Sequence, residues 1–216
     1  MVAKYLIDEV KFSGPTQTTP ATKKLCKMFG IDDPPPERKI IESDEIIIDK
    51  GQIVYITGAS GAGKTLLLNQ LQNKIPGVVE LADCEEIYNS PVLDYFRGDL
   101  SGAIKWLSRA GMNDAFALLN TGAKLSCGQL FRFRLAKIME QQPAAICIDN
   151  FCDSIDRVTA AVVAFNIRKF ANEYKTIFIV ASNHDDIMEE LEPDVVVIKH
   201  LGSGCDIMYP RPEGDE

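Results

Sequence analysis

Eight consecutive residues, Gly58-Ala59-Ser60-Gly61-Ala62-Gly63-Lys64-Thr65, set glycines, a lysine and a hydroxyl in the order G-x-x-x-x-G-K-[ST]. The backbone N–H groups of such a loop wrap a chain of phosphates. The lysine reaches the β/γ-phosphates and the neighbouring hydroxyl binds Mg²⁺. Both flanks agree with that chemistry: Ile53-Val54-Tyr55-Ile56-Thr57 reads as a buried strand and Leu66-Leu67-Leu68-Asn69-Gln70-Leu71 as a helix. A helix N-terminus adds free N–H donors and the positive end of a dipole. Gly58 and Gly63 are expected to let the backbone approach the phosphates. The bland alternative is a glycine-rich turn with no ligand, and eight matching positions between a strand and a helix argue against it.

Four other places could take part. Ala144-Ala145-Ile146-Cys147-Ile148-Asp149 is an apolar strand ending in a carboxylate, the position from which a second group orients Mg²⁺ beside a phosphate loop. Leu125-Ser126-Cys127-Gly128-Gln129 leads into Leu130–Met139, and Ser126 with Gln129 forms a capping box, so a helix starts there whatever its role. Asp156 is placed to cap a helix from Arg157 to Tyr174. His184 follows the apolar run Thr176–Ala181 within Ser182-Asn183-His184-Asp185; taken alone, it would be a polar loop residue.

These residues need a scaffold. Residues 4–13 suit an edge strand, and Ile40, Ile41, Ile46, Ile47 and Ile48 give a second β-branched stretch before the turn at Lys50-Gly51, which makes a hairpin. Between them, Gly14 to Arg38 reads as an irregular excursion with a Thr/Pro-rich run, a helical candidate at Thr22–Phe29 and the triple proline Pro34-Pro35-Pro36. After the loop helix, Pro76-Gly77 precedes a short strand at Val78–Leu81. Residues 83–142 then read as a small inserted helical subdomain. In it Ser90-Pro91 serve as N-cap and N1, Ala103–Ala110 form a helix closed by Gly111, and Asn113 caps another through Leu119. Val195–Ile198 is the last clear strand, and the acidic tail Glu213–Glu216 is expected to fray. Strands alternating with helices around a phosphate loop predict an α/β fold, a P-loop NTPase with a mostly parallel sheet. The expectation is one domain over 1–216, with 1–50 as its N-terminal β region.

The totals allow this. The chain has 216 residues, 46% hydrophobic and 25% charged, values of an ordinary globular protein. No apolar run reaches the length of a membrane span, and the acids Asp8 and Glu9 stand where a secretory leader needs an apolar stretch, so a cytoplasmic protein is expected. The six cysteines are scattered without CxxC pairs, which favours reduced thiols over disulfides or zinc. A net charge of −8 argues against a basic surface overall and leaves room for a local basic groove.

The order of phosphate loop, Leu125-Ser126-Cys127-Gly128-Gln129, strand ending in Asp149, Ser154-Ile155-Asp156 and His184 resembles the ABC-type ATPase domain, across Ile40 to Tyr209. Within that superfamily, the stretch from Asp149 to Arg157, Glu192-Pro193-Asp194-Val195 and Arg132-Phe133-Arg134-Leu135-Ala136 are similar to soluble ABC-type ATPases often fused to a predicted acetyltransferase domain. No acetyltransferase is visible in this chain. The resemblance implies an ABC-type P-loop fold in which Gly58–Thr65 and Asp149 hold Mg-ATP, with Thr65 and Asp149 on the metal. Ser126, Gly128 and the Gln129 beside them would meet the γ-phosphate held by a second copy, giving an ATP-dependent homodimer. Asp156 would lie across that interface, and His184 would sense the γ-phosphate.

Two departures stand out. Hydrolysing members carry a glutamate after the strand aspartate, and this chain has Asn150, which can orient a water but cannot take its proton, so slow turnover is implied. Between Lys64 and Ser126 the glutamines are Gln70 and Gln72, both in the loop helix, so the usual metal-touching, transporter-coupling glutamine is missing; Asn89 and Asp94 are the candidate substitutes. Tyr5 and Phe12 are the candidates for stacking on adenine, with core packing the alternative for each. Three functions follow: a soluble ATP-binding switch or weak ATPase, the ATP-binding subunit of a transporter, and a nucleic-acid maintenance ATPase using Arg132, Arg134 and Lys137. For those three bases a solvated helix face is the preferred reading. Protein partners are open. A GTPase is disfavoured, because no Asn-Lys-x-Asp follows the Asp149 strand.

Overall fold

A computed structural model describes residues 3–12, 19–31, 37–83 and 89–210. The Thr/Pro-rich run from Thr16 to Thr18, the triple proline, the side chain of Phe12 and the acidic tail lie outside them. The N-terminal region is antiparallel, as expected, but broken into two ladders. Strand β1 (Ala3–Ile7) pairs with β4 (Asp44–Ile48), and β2 (Val10–Phe12) pairs with β3 (Arg38–Ile41). The excursion between β2 and β3 carries helix α1 (Pro20–Phe29), started by a Thr19–Thr22 capping box and stopped by Gly30 in the left-handed conformation.

Strand β5 (Ile53–Thr57) feeds the phosphate loop and helix α2 (Lys64–Lys74), after which β6 (Val78–Glu80) is short. The helical stretch holds α3 (Leu100–Arg109), α4 (Ala115–Leu119) and α5 (Cys127–Gln141). Then come β7 (Ala145–Ile148), α6 (Arg157–Tyr174), β8 (Ile177–Ala181), α7 (Met188–Leu191), β9 (Val195–Lys199) and β10 (Cys205–Met208). The six-stranded sheet runs β10-β9-β5-β8-β7-β6, parallel throughout except for β10.

Alternation along the strands sorts the core onto the two faces of this sheet. Ile53 and Tyr55 of β5, Ile146 and Ile148 of β7, and Phe178 and Val180 of β8 pack with α3, α5 and α6. Their neighbours Val54, Ile56, Ala145, Cys147, Ile177 and Ile179 pack with Leu67, Leu68 and Leu71 of α2 and with Ile7, Ile41, Ile46 and Ile48 of the N-terminal ladders. The consequence for chemistry lies in the strand order. β8 sits between β5 and β7, so the segments leaving the C-terminal ends of these three strands meet at one crevice, where parallel α/β sheets bind ligands.

Three local expectations are corrected. Asp114, not Asn113, caps α4, its carboxylate accepting from Phe116 N–H at 3.0 Å. Ser90-Pro91 starts no α-helix: Pro91 bridges to Thr121, and Val92–Tyr95 is a 3₁₀ turn without a side-chain cap. The sheet also continues past Ile198 into β10, across a turn held by a buried lysine. Lys199 Nζ donates to the carbonyls of His200 (2.8 Å), Gly202 (2.7 Å) and Gly204 (3.3 Å). Desolvation lowers the Lys199 pKa, and the three carbonyls satisfy its donors.

Candidate functional site

At the crevice, the loop after β5 bends through positive φ at Gly58, Gly61 and Gly63, with Gly63 standing as N-cap of α2. The need for glycine at position 58 comes from within the protein. A Cβ on Gly58 would lie 2.1 Å from the Lys199 carbonyl oxygen, so β9 packs where a side chain would be. At Gly63 the corresponding neighbour is Ile40 Cγ2 of β3, at 3.0 Å. A Cβ on Gly61 would meet nothing within 4 Å, so it is the rim of the loop that faces open space.

Lys64 and Thr65, the first residues of α2, point into a cleft of about 290 Å³ lined by Ser60, Gly61, Gly63, Asp149, Asn150 and Asn183 as well. Lys64 is buried, and its Nζ donates to the carbonyls of Gly58 (2.8 Å) and Ala59 (3.0 Å) and to Asn183 Oδ1 (2.6 Å). Thr65 Oγ1 donates to Asp149 Oδ2 at 2.7 Å. The other carboxylate oxygen of Asp149 accepts from the Asn150 N–H at 2.9 Å. Ala62 is buried beneath the loop. The sequence-expected residues from Ser60 to Thr65, Asp149 and Asn150 are therefore gathered in one place.

Other expected residues lie elsewhere in the same chain. Ser126 and Gln129 form the capping box of α5: Ser126 Oγ accepts from Gln129 N–H at 3.2 Å, and Gln129 Oε1 accepts from Ser126 N–H at 3.0 Å. Ser126 and Cys127 are exposed, while Gly128 is buried because a Cβ there would come within 2.8 Å of both the Ser154 carbonyl oxygen and Ile155 Cγ2. None of Ser126, Gly128 and Gln129 lines the phosphate cleft. Cys127 borders a separate cleft of about 500 Å³, together with Leu130, Phe131, Arg134 and Ser154, and that cleft shares Asp149 and Asn150 with the first. Asp156 caps α6 with both oxygens, accepting from Thr159 N–H (3.0 Å) and Thr159 Oγ1 (2.6 Å), and these bonds hold its pKa below the usual value.

His184 is not among the residues lining the phosphate cleft. Its Nδ1 lies 3.0 Å from Arg157 Nη2 and its Nε2 3.5 Å from Asp153 Oδ1. A guanidinium only donates, so Nδ1 is the acceptor and the ring proton sits on Nε2. The His184 carbonyl accepts from the Tyr55 hydroxyl, whose pKa burial pushes up to about 12. Asn183 is the residue sequence reasoning passed over. The signal was its place: it stands two residues beyond β8, the strand between the phosphate loop and Asp149. Arg132 Nε and Nη1 donate to the Gly128 and Gly111 carbonyls (3.1 and 2.8 Å), and Lys137 binds Glu140 at 2.6 Å over the Phe96 ring. Arg132 and Lys137 are thus held by their own chain. Burial raises the Cys147 thiol to about 12 and the Cys152 thiol further, so neither supplies a thiolate nucleophile.

No family model matches the chain. Sequence relatives include ABC transporter I family member 17 of Arabidopsis thaliana, 23% identical over 80% of this chain and 77% of its own length. Another is the methionine import ATP-binding protein MetN of Clostridium tetani, 23% identical over 89% of this chain and 71% of its own length. Among solved structures, the dimeric ABC transporter cassette MJ0796 superposes with a TM-score of 0.65 at 16% identity, over 82% of this chain and 93% of that one. The same cassette in a post-hydrolysis dimer bound to ADP and Pi gives a TM-score of 0.64 at 15% identity, with the same coverage. The fold is that of an ABC-type ATPase cassette, and the sequence relatives are named as an ABC transporter family member and an import ATP-binding protein. Among the described residues no helix is long and apolar enough to cross a membrane.

Proposed function

We propose that the chain is a single ABC-type cassette that binds Mg-ATP at the Lys64–Asp149 cleft, pairs with a second copy around the nucleotide, and hydrolyses it slowly. The carrying observation is the 2.7 Å contact between Thr65 Oγ1 and Asp149 Oδ2, with Lys64 beside them in the same cleft. A hydroxyl and a carboxylate oxygen are hard donors, the kind Mg²⁺ takes. Thr65 and Asp149 would hold Mg²⁺, which would supply charge neutralisation for the phosphates. Lys64 would leave the Gly58 and Ala59 carbonyls for the phosphates. Asn150 would orient a water without accepting its proton, which is why turnover is slow. The pairing follows from Ser126 and Cys127: the exposed start of α5 offers a hydroxyl and N–H groups to an anion that its own chain does not bring there. The relevant cassette neighbours are dimers. ATP as ligand and the free thiols of the described cysteines fit a cytoplasmic location.

Sizing the protein with Mg-ATP, with Mg-ADP and without nucleotide, alongside phosphate release, tests the whole reading. A wild type that stays monomeric in saturating Mg-ATP removes the pairing. Lys64→Ala should abolish Mg-ATP binding with the fold intact, and unchanged affinity by calorimetry in a folded variant would sink the nucleotide site. The second reading, an ATP-binding subunit of a transporter, is favoured by the names of the relatives. Co-purification with a multi-span membrane protein from the native source would establish it over an independent soluble protein.

A further inference from the structure

We infer that Asn183 is the residue that distinguishes ATP from ADP in this cleft, by holding Lys64 in the nucleotide-free site and donating its amide to the γ-phosphate when ATP enters; this rests on the nucleotide reading above. The topology places it there. β8 runs parallel between β5 and β7, and the chain leaving β8 is fixed to both sides. Ser182 N–H donates to the Ile56 carbonyl of β5 at 3.0 Å, Phe151 N–H donates to the Ala181 carbonyl at 2.8 Å, and Ser182 Oγ donates to the Phe151 carbonyl at 3.1 Å. The next side chain therefore projects between the phosphate loop and the Asp149-Asn150 segment, and Asn183 lines the cleft with both.

The chemistry of the amide then divides. Lys64 is a donor only, so at 2.6 Å it must face the carbonyl end, Oδ1. That orientation leaves Nδ2, with two N–H donors, on the other side, and among the described residues no hydrogen bond engages it. Open to the cleft and to solvent, it can donate to a phosphate oxygen. With ADP the terminal phosphate is one group shorter, and Lys64 alone serves it. With ATP the lysine and the amide converge on the added phosphoryl group, in the cleft that Thr65 and Asp149 also line. His184, one residue on, is turned away into its contacts with Arg157 and Asp153.

The experiment is calorimetric binding of Mg-ATP and Mg-ADP to the full chain and its variants. Asn183 is exposed, so substitution should spare the fold, which thermal melting checks. Losing a hydrogen bond to a charged group predicts that Asn183→Ala weakens Mg-ATP by about tenfold to a hundredfold and Mg-ADP by no more than about twofold. Asn183→Ser, which keeps a shorter donor, should fall between wild type and Asn183→Ala. Asn183→Asp should lose Mg-ATP more completely than Mg-ADP, because a carboxylate would face the γ-phosphate. Equal weakening of both nucleotides, or none, overturns the inference and leaves the nucleotide site standing. So does loss of the ATP preference in His184→Ala but not in Asn183→Ala. A wild type that binds neither nucleotide overturns the nucleotide reading and the inference with it.

Discussion

Asn150 has a backbone φ of +52°, in the left-handed region that asparagine tolerates and glutamate does not favour. The residue type thus suits the backbone, and on the proposed reading it also limits turnover; the two effects can be separated. On that reading Asn150→Glu adds a proton acceptor where Asn150 would orient a water, and should raise phosphate release by about a hundred- to ten-thousand-fold. The same change should lower stability by about 1 kcal/mol through left-handed strain, read from the urea midpoint. Brisk wild-type hydrolysis that Asn150→Glu does not improve would show that another group already acts as base, and Asp153→Ala would then remove an existing rate. His184 is poorly placed for that role while Arg157 occupies its acceptor nitrogen. At this scale the phosphate loop and Asp149 were legible from types and spacing, and Asn150 stood out only through the resemblance to ABC-type ATPases. Asn183 was not, because a histidine beside it carries the more familiar pattern, and only the cleft lining separates Asn183 from a His184 held by Arg157 and Asp153.

Helix α6 shows what holds the site's strands in register. Arg168, buried on its inner face, donates from Nη1 to Asp194 Oδ2 (2.7 Å) and the Glu192 carbonyl (3.0 Å), and from Nη2 to the Gly51 carbonyl (2.7 Å) and Asn172 Oδ1 (2.9 Å). The same Asp194 oxygen accepts from Ile53 N–H at 2.8 Å. One guanidinium and one carboxylate therefore tie α6 to the starts of β5 and β9, at the end of the sheet opposite the phosphate loop. Asp194→Ala would leave the guanidinium unpaired among buried groups and should cost about 3 kcal/mol, the low end for a broken buried pair because the Asp194 side chain is 31% exposed. A urea midpoint within error of the wild type would show that water replaces the carboxylate at no cost. Elements of this kind were legible where burial writes a run of apolar residues, as in β5, β7, β8 and β9. They were not legible where pairing alone makes them. β10 reads as half-exposed Cys-Asp-Ile-Met after two glycines, and it is a strand because β9 offers it an open edge and Lys199 closes the turn.

For the whole molecule, the question is whether the exposed start of α5 is a surface or half of a site. The obvious variant, Ser126→Arg, is ambiguous, since it also removes the capping hydroxyl from Gln129 N–H and so weakens the helix. Gly128 is worse, because any side chain there collides with Ser154 and Ile155 and the fold fails before the interface is tested. Cys127 avoids both problems. It is exposed, it stands at the first position of the helix, and its side chain takes no part in the capping box. Cys127→Arg adds bulk and a long side chain across the surface a second copy must approach, while leaving Ser126 and Gln129 paired. Mg-ATP affinity of the monomer should remain within about twofold of wild type, and the ATP-dependent dimer should be lost in sedimentation or light scattering. Cys127→Ser, nearly isosteric, should pair normally. If Cys127→Arg dimerises in Mg-ATP as well as the wild type does, the second copy does not use this helix start, and the pairing must be sought on another face.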